Sequence, residues 1–369
     1  MPFKLGQRPV LDGVRGVSIL WVIAFHFRDA DHALPTRGGF LGVDVFFVLS
    51  GFLITALLLE EYNASGSIRF GAFYARRALR LLPALFVVVA VWLVWVSLFD
   101  HTVEHRAYGE AVAAMLYGEN WFHGLSSFHA GLPTGLSHTW SLSIEEQFYI
   151  LWPGLLWLLL RRGVRFATAV TALALVAVPI IRLLQWAGPG SVNRLYFSTQ
   201  TRADTLLAGC LLALLLSNGY IRGRASESMR GFVPLAFAFA AFSLVFAYHR
   251  SPWIYKGGYT IFAVSTAIVL WAILERGFLR RLLESRPLLW VGRRSYGLYL
   301  GHWPIFNAVL DHWGRGKVAG PVALPLTFLC AWASYRWIEM PFLRLKRKFS
   351  RVRAAADEVV TAPAILEPA

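Results

Sequence analysis

Long apolar runs, broken by short polar segments, recur along almost the whole chain. A helix crosses a hydrocarbon core about 30 Å thick with about 20 mostly apolar residues. Stretches of that kind lie near 13–29, 40–61, 81–99, 146–160, 166–187, 203–218, 231–248, 257–275, 295–310 and 318–340. Because lipid offers no hydrogen bonds to the backbone, each run is expected to be a helix that satisfies its own peptide groups. The pattern therefore predicts an all-α polytopic membrane protein, a bundle of about ten transmembrane helices. A further stretch, AYGEAVAAMLYGENW at 107–121, is shorter and carries Glu110 and Glu119, and it is read as an interfacial or re-entrant segment. No small-residue cleavage pattern follows the first run, VSILWVIAFHF, so it is read as a retained helix and not a secretory leader.

Composition agrees with this reading: 57% of the 369 residues are hydrophobic and 15% are charged, against about 25% charged in ordinary soluble domains. The net charge of +15 sits in the loops between runs. With the amino terminus, 62–80, 161–165, 219–230, 276–294 and the carboxyl tail on the cytoplasmic side, 26 of the 36 Lys and Arg lie inside or at inner helix ends and 10 at the outer side. That distribution follows the positive-inside rule only if 107–121 does not cross, which places both termini in the cytoplasm of a cell-membrane protein. It also accounts for the basic balance without a nucleic-acid partner. Cys210 and Cys330 both lie in apolar runs, and no CxxC or HExxH spacing is present, so neither a disulfide framework nor a metal is expected. Past 340 the chain turns polar, RLKRKFSRVR and then AAADEVVTAPAILEPA, which reads as a basic, flexible cytoplasmic tail over 341–369 after a membrane domain over 1–340.

Polar groups inside the runs then become informative, since they face the bundle interior or a wet cavity. Arg15 and His26 are eleven residues apart, about three helical turns, and so share one face about 16 Å apart along the axis. Asp44 lies just below the outer start of the second run, Glu145 opens the fourth, and Arg202 and Asp204 open the sixth. His26, Asp44, Glu145 and Asp204 thus fall at similar depth on four helices. At the inner side, FYARRALRLLP places Arg76, Arg77 and Arg80 at the start of the third run, near Arg15 in depth. The planar guanidinium suits phosphate, although positive-inside bias alone also places arginines there.

Six phrases carry a family resemblance: LDGVRGVSILWVIAFHF, GVDVFFVLSGFLI, FYARRALRLLPA, TWSLSIEEQFYILWP, RADTLLAGCLLA and SYGLYLGHWPIF. In this order they resemble the acyltransferase-3 family of membrane-embedded O-acyltransferases over nearly all the membrane portion. The resemblance implies an acyltransferase moving groups other than aminoacyl groups. It would carry an acyl group, often acetyl, from cytoplasmic acyl-CoA to a hydroxyl of a sugar, glycolipid, cell-envelope glycan or secondary metabolite. It implies that Arg15 and His26 are the family's Arg and His pair, that Glu145 is the Glu of its SLSxE phrase, and that Asp44, Arg76, Arg77 and Ser143 occupy motif positions. The absence of an appended extracytoplasmic hydrolase-like domain favours an acceptor that the membrane domain reaches itself.

The chemistry is compatible with the residues. Transfer from a thioester to an alcohol needs a base, and imidazole suits that near neutrality. His26 is the expected base, with Asp44 or Glu145 orienting it. Arg15, Arg76, Arg77 and Arg80 are expected to hold acyl-CoA, and Trp140, Ser143, Arg202, Asp204, Tyr299 and His302 to line the acceptor side. Glu146 is read as the solvated neighbour of Glu145. His123, His129 and His138 lack ligand-like spacing and are read as part of an acceptor-facing surface. A proton-coupled transporter using the same intramembrane His, Arg and carboxylates is the alternative, but the chain shows no inverted pair of broken spans.

Overall fold

The computed structural model describes residues 5–6, 8–31, 37–100, 104–125, 135–277, 279–313 and 319–346. These form helices α1 (Pro9–Asp31), α2 (Gly42–Ser65), α3 (Phe70–Phe99), α4 (Glu104–Met115), α5 (Glu119–Leu125), α6 (Trp140–Leu160), α7 (Val164–Leu184) and α8 (Val192–Phe197). They continue with α9 (Thr199–Ser217), α10 (Arg224–Phe246), α11 (Tyr259–Arg276), α12 (Arg280–Leu283), α13 (Arg286–Arg293), α14 (Ser295–Trp313), α15 (Ala319–Ala333) and α16 (Met340–Lys346). No strand occurs among the described residues.

Every apolar run read from the sequence coincides with a helix, but not every helix meets the demands of a crossing. Six segments are long and apolar enough to span: Pro9–Phe27, Gly39–Ser65, Phe70–Phe99, Val164–Leu184, Arg224–Phe246 and Ile254–Glu275. Helices α6, α9 and α14 carry polar groups in their apolar runs, and α15 has only 15 residues, about 22 Å of helix. The chain is an integral membrane protein, all-helical among the described residues, where six segments have spanning character; ten crossings exceeds what length and apolarity alone support there. The 107–121 stretch forms the hairpin α4–α5, whose 12-residue and 7-residue helices are each too short to cross.

Large apolar side chains such as Phe86, Val91, Leu98, Leu151, Leu173 and Leu184 are exposed on the outside of the bundle, the surface that lipid would solvate. Inside, burial of apolar area is a weak driving force, because lipid tails are as apolar as leucine, and small residues and polar pairs hold the helices together. The α2–α9 crossing shows this. A Cβ at Gly209 would lie 1.9 Å from the Val48 carbonyl oxygen, and one at Gly51 2.0 Å from that of Leu206, so only glycine permits the two backbones to approach this closely. Across the α2–α6 contact Trp152 donates its indole N–H to Thr55 Oγ1 at 2.8 Å.

Deeper in the same bundle, charges are neutralised in pairs. Arg202 Nη2 lies 2.7 Å from Asp44 Oδ1, and Arg182 Nη2 lies 3.0 Å from Asp204 Oδ2; all four side chains are essentially inaccessible. Arg182 also donates to the carbonyls of Tyr255 and Thr201, and the Arg202 guanidinium lies 3.7 Å from the centre of the Tyr259 ring. These contacts join α2, α7, α9 and α11 around one electroneutral centre.

Candidate active site

The cavity that brings the expected residues together has a volume of about 200 Å³ and runs along α1, α2, α3, α6 and α14. Helix direction fixes its polarity. Arg15 near the start of α1, and Arg77 and Arg80 in the second turn of α3, define one end. Ser141 at the start of α6 and Tyr299 in α14 define the other. Arg77 and Arg80 share the cavity because residues three apart sit on one helical face. Arg76, one residue away, is turned about 100° and lies 3.7 Å from Glu61. Of the four expected donor-binding arginines, Arg15, Arg77 and Arg80 line the cavity and Arg76 does not. Arg15 also bonds Asp12 at 2.8 Å, whereas Arg80 makes no ion pair with the described residues.

Glu145 lines the cavity at mid-depth. Its Oε1 accepts from Ser50 Oγ at 2.5 Å and Tyr149 Oη at 2.7 Å, and Arg77 Nη2 lies 3.4 Å away. Glu146, expected to be a solvated neighbour, is buried and also lines the cavity. Arg77 donates to its Oε1 from Nε at 2.9 Å and from Nη2 at 2.5 Å, and to its Oε2 from Nε at 3.0 Å. The reason is the position of α3: Arg77 stands between consecutive carboxylates and reaches both, with its guanidinium 3.3 Å over the Tyr149 ring.

Beyond the Ser141–Tyr299 end stand His26, His138 and His302, none of which lines the cavity. His302, one turn beyond Tyr299 on α14, is fully buried; its Nε2 lies 3.1 Å from Nδ1 of His26. The His26 ring also packs on Trp303, with centroids 4.7 Å apart. Tyr299 Oη donates to the His138 carbonyl at 2.6 Å, so the 2.5 Å contact between Ser141 and Tyr299 has the serine hydroxyl as donor. His138 itself is buried, its ring 5.2 Å from that of His302, and is not part of an exposed acceptor surface.

Two expected orienters of His26 therefore face elsewhere. Asp44 is committed to Arg202, and Glu145 to Ser50, Tyr149 and Arg77. Arg202 and Asp204, expected on the acceptor side, lie in the electroneutral centre with Asp44 and Arg182. Trp140 is buried against Phe47, Tyr196 and Phe197. The Ser143 hydroxyl accepts from the Glu119 backbone N–H at 3.1 Å and donates to the Thr139 carbonyl at 3.2 Å, which fastens α5 to α6.

Sequence reasoning missed Ser50, Tyr149 and Ser141 in the lining. Tyr149 was within reach of it, four residues after Glu145 on one helical face. So was Arg182, a lone guanidinium inside the run VPIIRLL. A second polar group lies in the α4–α5 hairpin, where ligand-type atoms of Glu110, Glu119 and His123 fall within 4.8 Å of one another. Spacing along the chain did not anticipate it, because Glu110 comes from a different helix; Arg106 Nε lies 3.3 Å from Glu110. His129 falls outside the described residues.

The acyltransferase-3 family, described as an acyltransferase domain, matches residues 8–336. The chain is 32% identical over 348 residues to the peptidoglycan O-acetyltransferase OatA of Listeria monocytogenes, covering 90% of this chain and 55% of that protein. It is 34% identical over 351 residues to the O-acetyltransferase OatA of Staphylococcus aureus, covering 90% of this chain and 57% of that one. The chain thus spans about half the length of the curated relatives it matches. No solved structure matches it. With 329 of its 369 residues inside the family match, the chain belongs to the acyltransferase-3 family.

Proposed function

We propose that the chain is a membrane O-acetyltransferase that takes an acetyl group from acyl-CoA on the cytoplasmic side and delivers it to a hydroxyl of an envelope glycan on the outer side. One observation carries this reading: a single cavity has guanidinium groups at one end and the Ser141 and Tyr299 hydroxyls at the other, and one turn beyond Tyr299 on the same helix His302 meets His26. Arg15, Arg77 and Arg80 would bind the donor's phosphates, and Arg80 has the charge most available for them. The thioester arm would follow the cavity past Glu145 toward Ser141 and Tyr299. A peptidoglycan acceptor is the reading that the name of the Listeria relative supports.

His26 removes the proton of the acceptor hydroxyl, the oxygen attacks the thioester carbonyl, the carbon–sulfur bond breaks, and the proton passes to the departing thiolate. Glu145 holds Arg77, Ser50 and Tyr149 in place along the path. Asp44, Arg202 and Asp204 set the packing of the bundle. The proton-coupled transporter is the weaker reading, because the carboxylates it would use are already neutralised in pairs.

In the same proposal all ten apolar runs cross and both termini are cytoplasmic, in line with the distribution of basic residues. The test is incubation of purified protein in nanodiscs with acetyl-labelled acetyl-CoA and muropeptide or simple glycan acceptors. Ester-linked label on the acceptor, lost on mild alkaline treatment and absent with His26→Ala, is the expected result. Label that never leaves CoA, with every acceptor tried and folded protein throughout, would refute it.

A further inference from the structure

The orienter of His26 is not a carboxylate, and hydrogen-bond directions identify what takes its place. His302 Nδ1 lies 2.6 Å from the Tyr299 carbonyl oxygen and 3.2 Å from that of Leu298. A carbonyl only accepts, so Nδ1 of His302 carries the hydrogen. His302 is fully buried, and none of its hydrogen bonds goes to a carboxylate. A second proton on this ring would leave a buried cation without a counter-charge, which is strongly disfavoured. The remaining nitrogen, Nε2, is therefore a lone-pair acceptor, and it faces His26 Nδ1 at 3.1 Å.

We propose that His302 is a positioning residue that fixes His26 in the tautomer with hydrogen on Nδ1, so that Nε2 of His26 is the nitrogen offered to the acceptor hydroxyl. The proposal rests on the reading of His26 as the base. The backbone carbonyl of Tyr299 thus sets the protonation pattern of His302 and through it acts on His26, 276 residues away in sequence, beside the Val22 backbone one turn before His26 on α1. Serine hydrolases use a carboxylate in this place, which both orients the imidazole and stabilises its charged form. Here the orienter is neutral. Once His26 has taken the acceptor's proton, its Nδ1–H still donates to His302 Nε2, now as a charge-assisted bond. Trp303 against one side of the His26 ring, with its indole N–H bonded to Ser137 at 3.0 Å, restricts rotation of that ring. The other titratable rings around His302 are His138, 5.2 Å away, and Tyr299, 5.6 Å away.

Nitrogen NMR of protein labelled with 15N-histidine, reconstituted in lipid, reads the tautomer directly. His26 is assigned from the difference spectrum with His26→Ala. The expected signature at neutral pH is a protonated Nδ1 and an unprotonated Nε2 on His26; the reverse assignment overturns the proposal without any variant of His302. Kinetics give an independent test. His302→Gln supplies a carboxamide oxygen that can accept from His26 Nδ1, and His302→Leu supplies none. Transfer per folded molecule should fall at least about tenfold in His302→Leu and recover to within a few-fold of wild type in His302→Gln, with KM for the donor unchanged in both. Equal losses in the two variants, tracking lost thermal stability, would reduce His302 to a packing residue. Full turnover in His26→Ala would remove the base itself and this role with it. An inactive His26→Ala beside an unimpaired His302→Leu would sink the role of His302 alone.

Discussion

Removing one charge from the electroneutral centre separates a packing role from a chemical one. Asp44→Asn keeps the size and much of the hydrogen bonding of the side chain but strips the charge that faces Arg202 Nη2 at 2.7 Å. Both residues are at most 1% exposed, so the orphaned guanidinium cannot turn to water. Breaking a buried pair from one side costs about 3–5 kcal/mol, a fall in Tm of about 4–6 °C for a chain of 369 residues. The pair is not ideally bonded: Asp44 Oδ2 and Arg202 Nε and Nη1 have no hydrogen-bond partner among the described residues. Its net worth relative to a neutral pair is therefore small. Asp44→Asn combined with Arg202→Gln should recover most of the loss, with a coupling of about 2–3 kcal/mol between the two sites. Thermal unfolding in nanodiscs followed by tryptophan fluorescence, with acetyl transfer normalised to folded protein, measures both quantities. Unchanged Tm with abolished transfer in Asp44→Asn would refute this argument and return Asp44 to the chemistry.

Arg80→Ala should weaken donor binding by about 1.5–3 kcal/mol, the worth of a charge-assisted contact, while Arg76→Ala, whose side chain is turned to Glu61, should leave it within twofold. Equal effects in a CoA-binding titration would return both to topology signals. Glu145→Gln and Glu146→Gln should both lower stability, because both partner Arg77, but only Glu145→Gln also disturbs Ser50 and Tyr149 on the acyl path; turnover per folded molecule is therefore expected to fall further for Glu145→Gln. Indistinguishable turnover would detach Glu145 from the path. With Cys210 and Cys330 replaced by Ala, a membrane-impermeant thiol reagent added to intact cells should modify Ser251→Cys and spare Ala225→Cys; the opposite pattern would invert the topology.

The helices were legible because each apolar run has the length and hydropathy that a helix in lipid requires. Depth was legible within a run, at about 1.5 Å per residue, but not from one run to another: Glu145, expected level with His26, lies 3.4 Å from Arg77. Azimuth across helices was not legible either. Asp44 turns to α9, where Gly51 and Gly209 bring the backbones together. His26 turns to α14, whose approach to α1 no local pattern announces. Within one helix the geometry could be read: Arg77 and Arg80 share a face, and Tyr149 falls one turn after Glu145. The burial of Glu146 could not, because it depends on an arginine 69 residues away. The six phrases that carry the family resemblance fixed which residues to look at; their partners came from packing.

Transfer across the membrane in a chosen direction tests the central claim most directly. Protein is reconstituted in one orientation, set by protease accessibility of the carboxyl tail, with the glycan acceptor sealed on one side and labelled acetyl-CoA supplied on the other. Acetyl ester should form on the acceptor only when the donor is on the side of Arg15, Arg77 and Arg80 and the acceptor on the side of His26 and His302. Ester formation with donor and acceptor confined to the same side, or in either orientation alike, would contradict a path that runs from the arginines to the histidines.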